Sequence, residues 1–169
     1  LNIDNKQRIY VDKTKMECSN NDIKYLEIAA EEANKSPVLY RHGCVAVASG
    51  KIIAKGYNHL RTISRDGLIN NVGSCHAEID VLRKCLKLNI KQKISLYIVR
   101  IGNNNTNILS SFPCGECYKQ MQKFDIKSLI YSESDGIIKK IRMRNFESTH
   151  ITSGTKALHS NRLKVLQCH

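Results

Sequence analysis

Proline is scarce in this 169-residue chain: only Pro37 and Pro113 occur, and no stretch is rich in proline, glycine or serine. Nothing therefore marks an interdomain linker, and no repeat divides the chain, so one domain with a full core is expected. Long apolar runs are missing as well. None approaches the roughly 18–20 residues of a membrane-spanning helix, so no membrane partner of that kind is expected. The first 20 residues lack the apolar centre of a secretory signal, so a cytoplasmic location is expected, with the nucleus open. Blocks of five or six like charges are also absent, so no charged tail is indicated.

The charge that is present is basic, with a formal net charge of +12 at pH 7. That balance permits a single-stranded nucleic-acid partner without requiring one. The lysines are scattered, and the wealth of Asn, Lys and Ile is the bias that AT-rich codons impose. A 41% hydrophobic and 25% charged composition describes an ordinary globular protein. Seven cysteines, an odd number, with no secretory signal argue against a disulfide framework and for a reducing compartment with a metal site. Cys44 and Cys85 read as small buried hydrophobes.

Periodicity orders the chain. Asn21 is positioned to cap a first helix with Ile23, Leu26, Ala29, Ala30 and Ala33 on one face, ending before Pro37. "CVAVAS" and "KIIAKGY" predict two strands joined by a tight turn at Gly50, followed by a polar loop over about 58–74. "CHAEIDVLRKCLKL" predicts a second helix carrying Ile79, Leu82 and Leu86. "ISLYIVRI" predicts a buried strand, and "PCGECYKQMQKF" a third helix with Pro113 in its first turn. "SLIYSES" and "IIKKIRM", flanking Asp135-Gly136, predict a closing hairpin. Helices alternating with strands imply an α/β fold, a mixed sheet with helices on its faces. The boundaries are a polar leader over 1–20, a domain over 21–144, and a polar tail over 145–169 that packs on or flanks it.

Two motifs fall at helix starts: His76 and Glu78 on one, Cys114 and Cys117 on the next. Residues two apart diverge along a helix flank, yet both can reach an object off the helix tip. Two thiolates and an imidazole give zinc three protein ligands and leave one position open, the pattern of a catalytic site. A helix N-terminus favours thiolate as well. Each motif alone has plainer readings. A C-x-x-C pair is also a redox dithiol or half a zinc ribbon, and a His-x-Glu at a helix start is also a cap with a solvated histidine. Their combination, with proline directly before the first cysteine, is what is specific.

These residues resemble the cytidine and deoxycytidylate deaminase superfamily, whose zinc signature is H-x-E followed by P-C-x-x-C. The resemblance runs over roughly residues 37–131, and "KGYNHL", "CHAE" and "PCGECYK" are most similar to the deoxycytidylate deaminases. It implies a three-layer α/β/α sandwich around a mixed five-stranded sheet. It also implies a hydrolase that converts a cytosine nucleotide to its uracil product and releases ammonia, and a homo-oligomer. By the same resemblance His76, Cys114 and Cys117 bind Zn2+, and Glu78 shuttles protons. Asn58 would meet the sugar hydroxyls, and the backbone N–H groups of Ala77 and Glu78 the base carbonyl.

The substrate is less determined. A histidine ligand, where free-nucleoside deaminases usually carry a third cysteine, favours a nucleotide, a polynucleotide cytosine or a tRNA adenosine. His59, Arg61 and Arg65 follow Asn58, where a phosphate or strand backbone could bind; a solvated loop is the plainer reading. Phe112 is a stacking or a packing residue, and Ser111 a cap. Against the nucleotide branches, the predicted closing hairpin makes the last two strands antiparallel, as in the free-nucleoside branch. The expectation is a dCMP-type deaminase. The alternatives are a polynucleotide cytidine deaminase, a tRNA-type adenosine deaminase and an inert zinc-stabilised binding module.

Overall fold

The computed structural model describes residues 18–70, 72–103 and 107–162; most of the expected leader and the end of the expected tail, 163–169, lie outside them. The first helix, α1 (Asn20–Ala33), opens on a capping box. Ser19 Oγ accepts from the Asp22 N–H at 3.2 Å, and Asp22 Oδ2 accepts from the Ser19 N–H at 2.9 Å, satisfying two donors that helix geometry leaves orphaned. The cap is thus Ser19, not Asn21. The buried face is Tyr25, Leu26, Ala29 and Ala33, whereas Ile23 and Ala30 are only half-buried.

Next come β1 (Arg41–Ala48) and β2 (Lys51–Tyr57), an antiparallel hairpin. Its turn places Ser49 and Gly50 at φ of 49° and 76°, the left-handed pair that matches the twist of two strands. Then follow α2 (Ala77–Lys87), β3 (Ile94–Ile101), a short β4 (Ile108–Leu109), α3 (Gly115–Met121), β5 (Ile126–Ser132), β6 (Ile138–Arg142) and α4 (Ser153–His159). The sheet runs β2-β1-β3-β5-β6, with β4 paired to the end of β3, so the expected five strands gain a sixth. β3 and β5 are parallel; β5 and β6 form the expected antiparallel hairpin.

Alternation along the strands assigns the two faces. Cys44, Ala46, Leu96, Ile98, Leu129 and Tyr131 point into one core with α2 and α3. Val45, Val47, Tyr97, Val99 and Ile130 point into the other with α1. The result is a three-layer α/β/α sandwich, as expected. Gly43 sets the closeness of α1: a Cβ there would lie 1.8 Å from the Ala29 carbonyl oxygen, so only glycine fits.

Two further expectations are corrected, and the tail gains detail. Leu86 is 49% exposed, and α2 buries Val81, Leu82 and Cys85 instead. Pro113 precedes the cap of α3, Cys114, rather than lying in the first turn. The polar tail contains α4 and two buried side chains, Phe146 and Ser148.

Candidate metal and catalytic site

The chain enters α2 through a short antiparallel bridge. The His59 N–H donates to the Cys75 carbonyl at 3.0 Å, and the Cys75 N–H to the His59 carbonyl at 2.8 Å. This fixes the residue before His76. From the other side, the Arg83 guanidinium pairs with Asp66 at 2.7 Å and ties the 58–74 loop to α2. Helix α2 also lies tight on β2: a Cβ at Gly56 would fall 2.3 Å from Asp80 Oδ2.

His76 and Cys114 are the cap residues of α2 and α3, both with extended backbone. The His76 ring makes no capping bond to its own helix. It turns instead to the sulfurs, with Nδ1 at 3.2 Å from Cys117 Sγ and 3.5 Å from Cys114 Sγ. Cys114 Sγ in turn accepts from the Cys117 N–H at 3.4 Å. One ligand atom from each of the three side chains lies within 4.8 Å of the others. Both caps sit at the carboxyl ends of parallel β3 and β5: Ser111, just upstream, donates from its N–H to Ser132 O at 2.7 Å and from Oγ to Ile98 O at 2.8 Å. Open α/β sheets bind ligands at this end.

The electrostatics of the cluster suit a soft dication. The Cys117 thiol donates to Cys114, and this bond, with the facing His76, outweighs burial and lowers the Cys114 thiol to about 4. Burial pushes the His76 imidazole down, but its bond to Cys114 and the charge of Glu78 bring it up to about 9. Cys117, already donating to Cys114 and buried, is held well above the ordinary thiol range. Buried negative charge on sulfur beside an imidazole is what zinc prefers, and three such ligands leave a tetrahedral position open. The donor set therefore fits zinc.

Glu78 is 4% exposed. Burial raises its carboxyl above the ordinary range, against the opposing pull of His76 and a hydrogen bond from Cys117. A carboxylate whose pKa is raised in this way is a better proton acceptor than a solvated one. Ala77, the first residue of α2, is fully buried beside it.

The other expected residues divide. Asn58 is buried, but its amide serves the backbone: Oδ1 accepts from the His42 N–H at 2.8 Å, and Nδ2 donates to Tyr40 O at 2.6 Å. His59 adjoins the site through its bridge to Cys75, and its Nε2 lies 3.4 Å from Asp80 Oδ1. Arg61 and Arg65 are exposed. Phe112 is 39% exposed and packs edge-on against Tyr131, with ring centroids 5.5 Å apart, and against Phe146 at 5.3 Å.

Sequence reasoning missed two groups. His42 and Arg100 are paired across β1 and β3 on the face shared with α2 and α3; the alternation running from Cys44 and Ile98 was the available signal. The segment after β6 was also missed. It lies over the start of α3, where the Gly115 N–H donates to His150 O at 2.9 Å and Ser148 Oγ to Pro113 O at 2.7 Å.

The description "cytidine and deoxycytidylate deaminase zinc-binding region" belongs to a family model that matches residues 19–133. Deoxycytidylate deaminase of Schizosaccharomyces pombe is 30% identical over 122 residues, covering 67% of this chain but 37% of the yeast protein, so the chain spans little more than a third of that relative. Among solved structures, cytidine deaminase from Burkholderia pseudomallei is similar in fold, with a TM-score of 0.53 at 16% identity over 71% of this chain and 91% of its own. The apo dCMP deaminase of cyanophage S-TIM5 aligns with a TM-score of 0.48 at 21% identity over 68% and 85%. With more than half of its length matched and the motif residues gathered at two helix tips, the chain belongs to the cytidine and deoxycytidylate deaminase family.

Proposed function

We propose that this protein is a zinc-dependent hydrolytic deaminase of a cytosine nucleotide, of the dCMP type. The observation that carries the reading is the meeting of His76, Cys114 and Cys117 at two helix tips with Glu78 buried beside them. The name of the yeast relative, deoxycytidylate deaminase, supports the mononucleotide substrate.

In this reading His76, Cys114 and Cys117 hold the metal. Zinc, when bound, supplies Lewis acidity that lowers the pKa of a water from 15.7 to about 7. Glu78 takes a proton from the attacking water at its carboxylate and delivers it to the ring nitrogen N3 as the oxygen adds to C4, then carries the remaining hydroxyl proton to the amine. The C4–N bond breaks, the water oxygen stays on C4 as the new carbonyl, and ammonia leaves. Burial of Glu78 suits both halves of that transfer, because the neutral acid is not penalised. Asn58 stands as the residue for the sugar hydroxyls, and its amide also steadies the backbone at Tyr40 and His42, where β1 begins. The N–H groups that open α2 at Ala77 and Glu78 face outward from the helix tip, the place for a base carbonyl.

Cys44, Cys75, Cys85, Cys114 and Cys117 are free thiols, which suits a reducing, cytoplasmic setting, and no helix among the described residues is long and apolar enough to cross a membrane. A homo-oligomer is part of the same reading and is checked by light scattering. The activity test is ammonia release from dCMP beside uracil formation in a cytosine-containing oligonucleotide. Turnover of dCMP supports the reading. Uracil formation in the strand alone replaces it with the polynucleotide alternative.

A further inference from the structure

On the sheet face that carries the site, one residue pair stands just beyond the core. His42 and Arg100 are direct neighbours across the β1–β3 ladder, next in line after the buried Cys44 and the equally buried Ile98. That end of the ladder is the end where α2 and α3 begin. His42 feels the charges of His76, Arg100 and Cys114 together, so the arginine, the histidine and the metal-ligand cluster share one environment.

The Arg100 side chain is held in an unusual way. Its guanidinium lies over the Tyr40 ring, 4.8 Å from the centroid. Its Nε is buried with no hydrogen-bond partner, and no carboxylate pairs with it among the described residues. A buried guanidinium donor left unmatched is costly, and the cation–π contact with Tyr40 helps to hold the guanidinium where it is. Planar, bidentate recognition of an oxyanion is what a guanidinium fork does best. His42 does not supply the charge. Burial lowers its imidazole to about 4 against a bond to Tyr40 O, so it is neutral at pH 7 and its Nδ1–H is committed to that carbonyl at 2.9 Å.

We propose that Arg100, held by Tyr40, is the specificity residue that recognises the phosphate of the substrate and so selects nucleotide over nucleoside. The inference rests on the deaminase reading for the identity of the site, and it deepens it by naming the chemical group that the site discriminates. The sheet ending resembles the free-nucleoside branch, and an arginine on the site's face of the sheet is a group that a phosphate-bearing substrate can use.

The test is equilibrium binding by calorimetry of the zinc-loaded full chain, with deoxyuridine, dUMP and a single-stranded oligonucleotide carrying one internal deoxyuridine. The wild type is expected to bind dUMP at least tenfold tighter than deoxyuridine. Arg100→Gln is expected to bring that ratio close to one, and Arg100→Lys to retain part of it, which covers the case in which the glutamine variant does not fold. Lys51→Gln, which removes one exposed charge at the start of β2, leaves the ratio unchanged. Equal wild-type affinity for the two monomers overturns the proposal, as does a ratio that survives in both Arg100 variants. Arg100-dependent preference for the oligonucleotide over dUMP overturns the terminal phosphate in favour of an internal phosphodiester. Because binding is read without turnover, absence of ammonia from every cytosine substrate sinks the deaminase reading separately.

Discussion

The phenol of Tyr97 donates to Asp22 Oδ1 at 2.7 Å, both groups buried, joining the first turn of α1 to the middle of β3. Lys140 reaches the other oxygen from β6 at 2.8 Å, and Ser19 closes the capping box on it. One carboxylate thus joins a helix and two strands.

Asp22 is therefore expected to matter well beyond a surface cap. Burial pushes its carboxyl up, but the bonds from Lys140, Tyr97 and Ser19 together bring it below the ordinary 3.8. A folded pKa below the unfolded one stabilises the native state fully above about pH 5 and loses that contribution as pH falls through the folded value. Asp22→Ala is expected to cost roughly 3 kcal/mol at pH 7, since it leaves the Tyr97 hydroxyl unmatched. Urea denaturation at pH 7 and at pH 3 checks both points: the gap between wild type and variant narrows at the lower pH.

Glu78→Gln keeps the shape of the side chain and removes its proton chemistry. Loss of about 10²–10⁴-fold in kcat is expected, with zinc content by atomic absorption unchanged. Full activity in a zinc-loaded Glu78→Gln protein would assign the site to binding rather than catalysis.

Metal removal is the third test. His76→Ala and Cys117→Ala are each expected to reduce bound zinc below one per chain. Exhaustive chelation of the wild type is expected to lower its melting temperature on the order of 10 °C, because a ligand that binds only the folded state stabilises it. An unchanged melting curve after verified zinc loss contradicts this arrangement.

Gly43→Ala tests the seat of α1. The added methyl has to displace the Ala29 carbonyl from 1.8 Å, and backbone on both sides cannot yield as a side chain tip does. About 3 kcal/mol or more of stability is expected to be lost, read from the denaturation midpoint at constant slope.

Much of this was legible in the sequence because it depends on short-range pattern. The apolar, β-rich runs "CVAVAS" and "ISLYIVRI" marked two strands, and the tight turn at Gly50 marked the first hairpin. His76, Glu78, Cys114 and Cys117 could be placed at helix starts from local signals alone. What escaped depends on distant partners. Ser19 wins the cap of α1 over Asn21 through its reciprocal bonds with Asp22. Leu86 faces outward although its spacing suits the core, since α2 already fills that volume with Val81, Leu82 and Cys85. Asn58 has the residue type for a sugar contact, and its amide also bonds the backbone at Tyr40 and His42, partners that no local pattern announces. Phe146 and Ser148 sit in a polar stretch whose burial no periodicity announces.

The bond from Gly115 to the His150 carbonyl carries a consequence for how the protein is made. The cap residue Cys114 is braced by a part of the polypeptide that follows the last strand of the sheet. Full support of that cap is accordingly expected only once the segment beyond the β5–β6 hairpin is in place. A protease cutting between β6 and α4 reaches the metal site at second hand, slackening a thiolate it never touches.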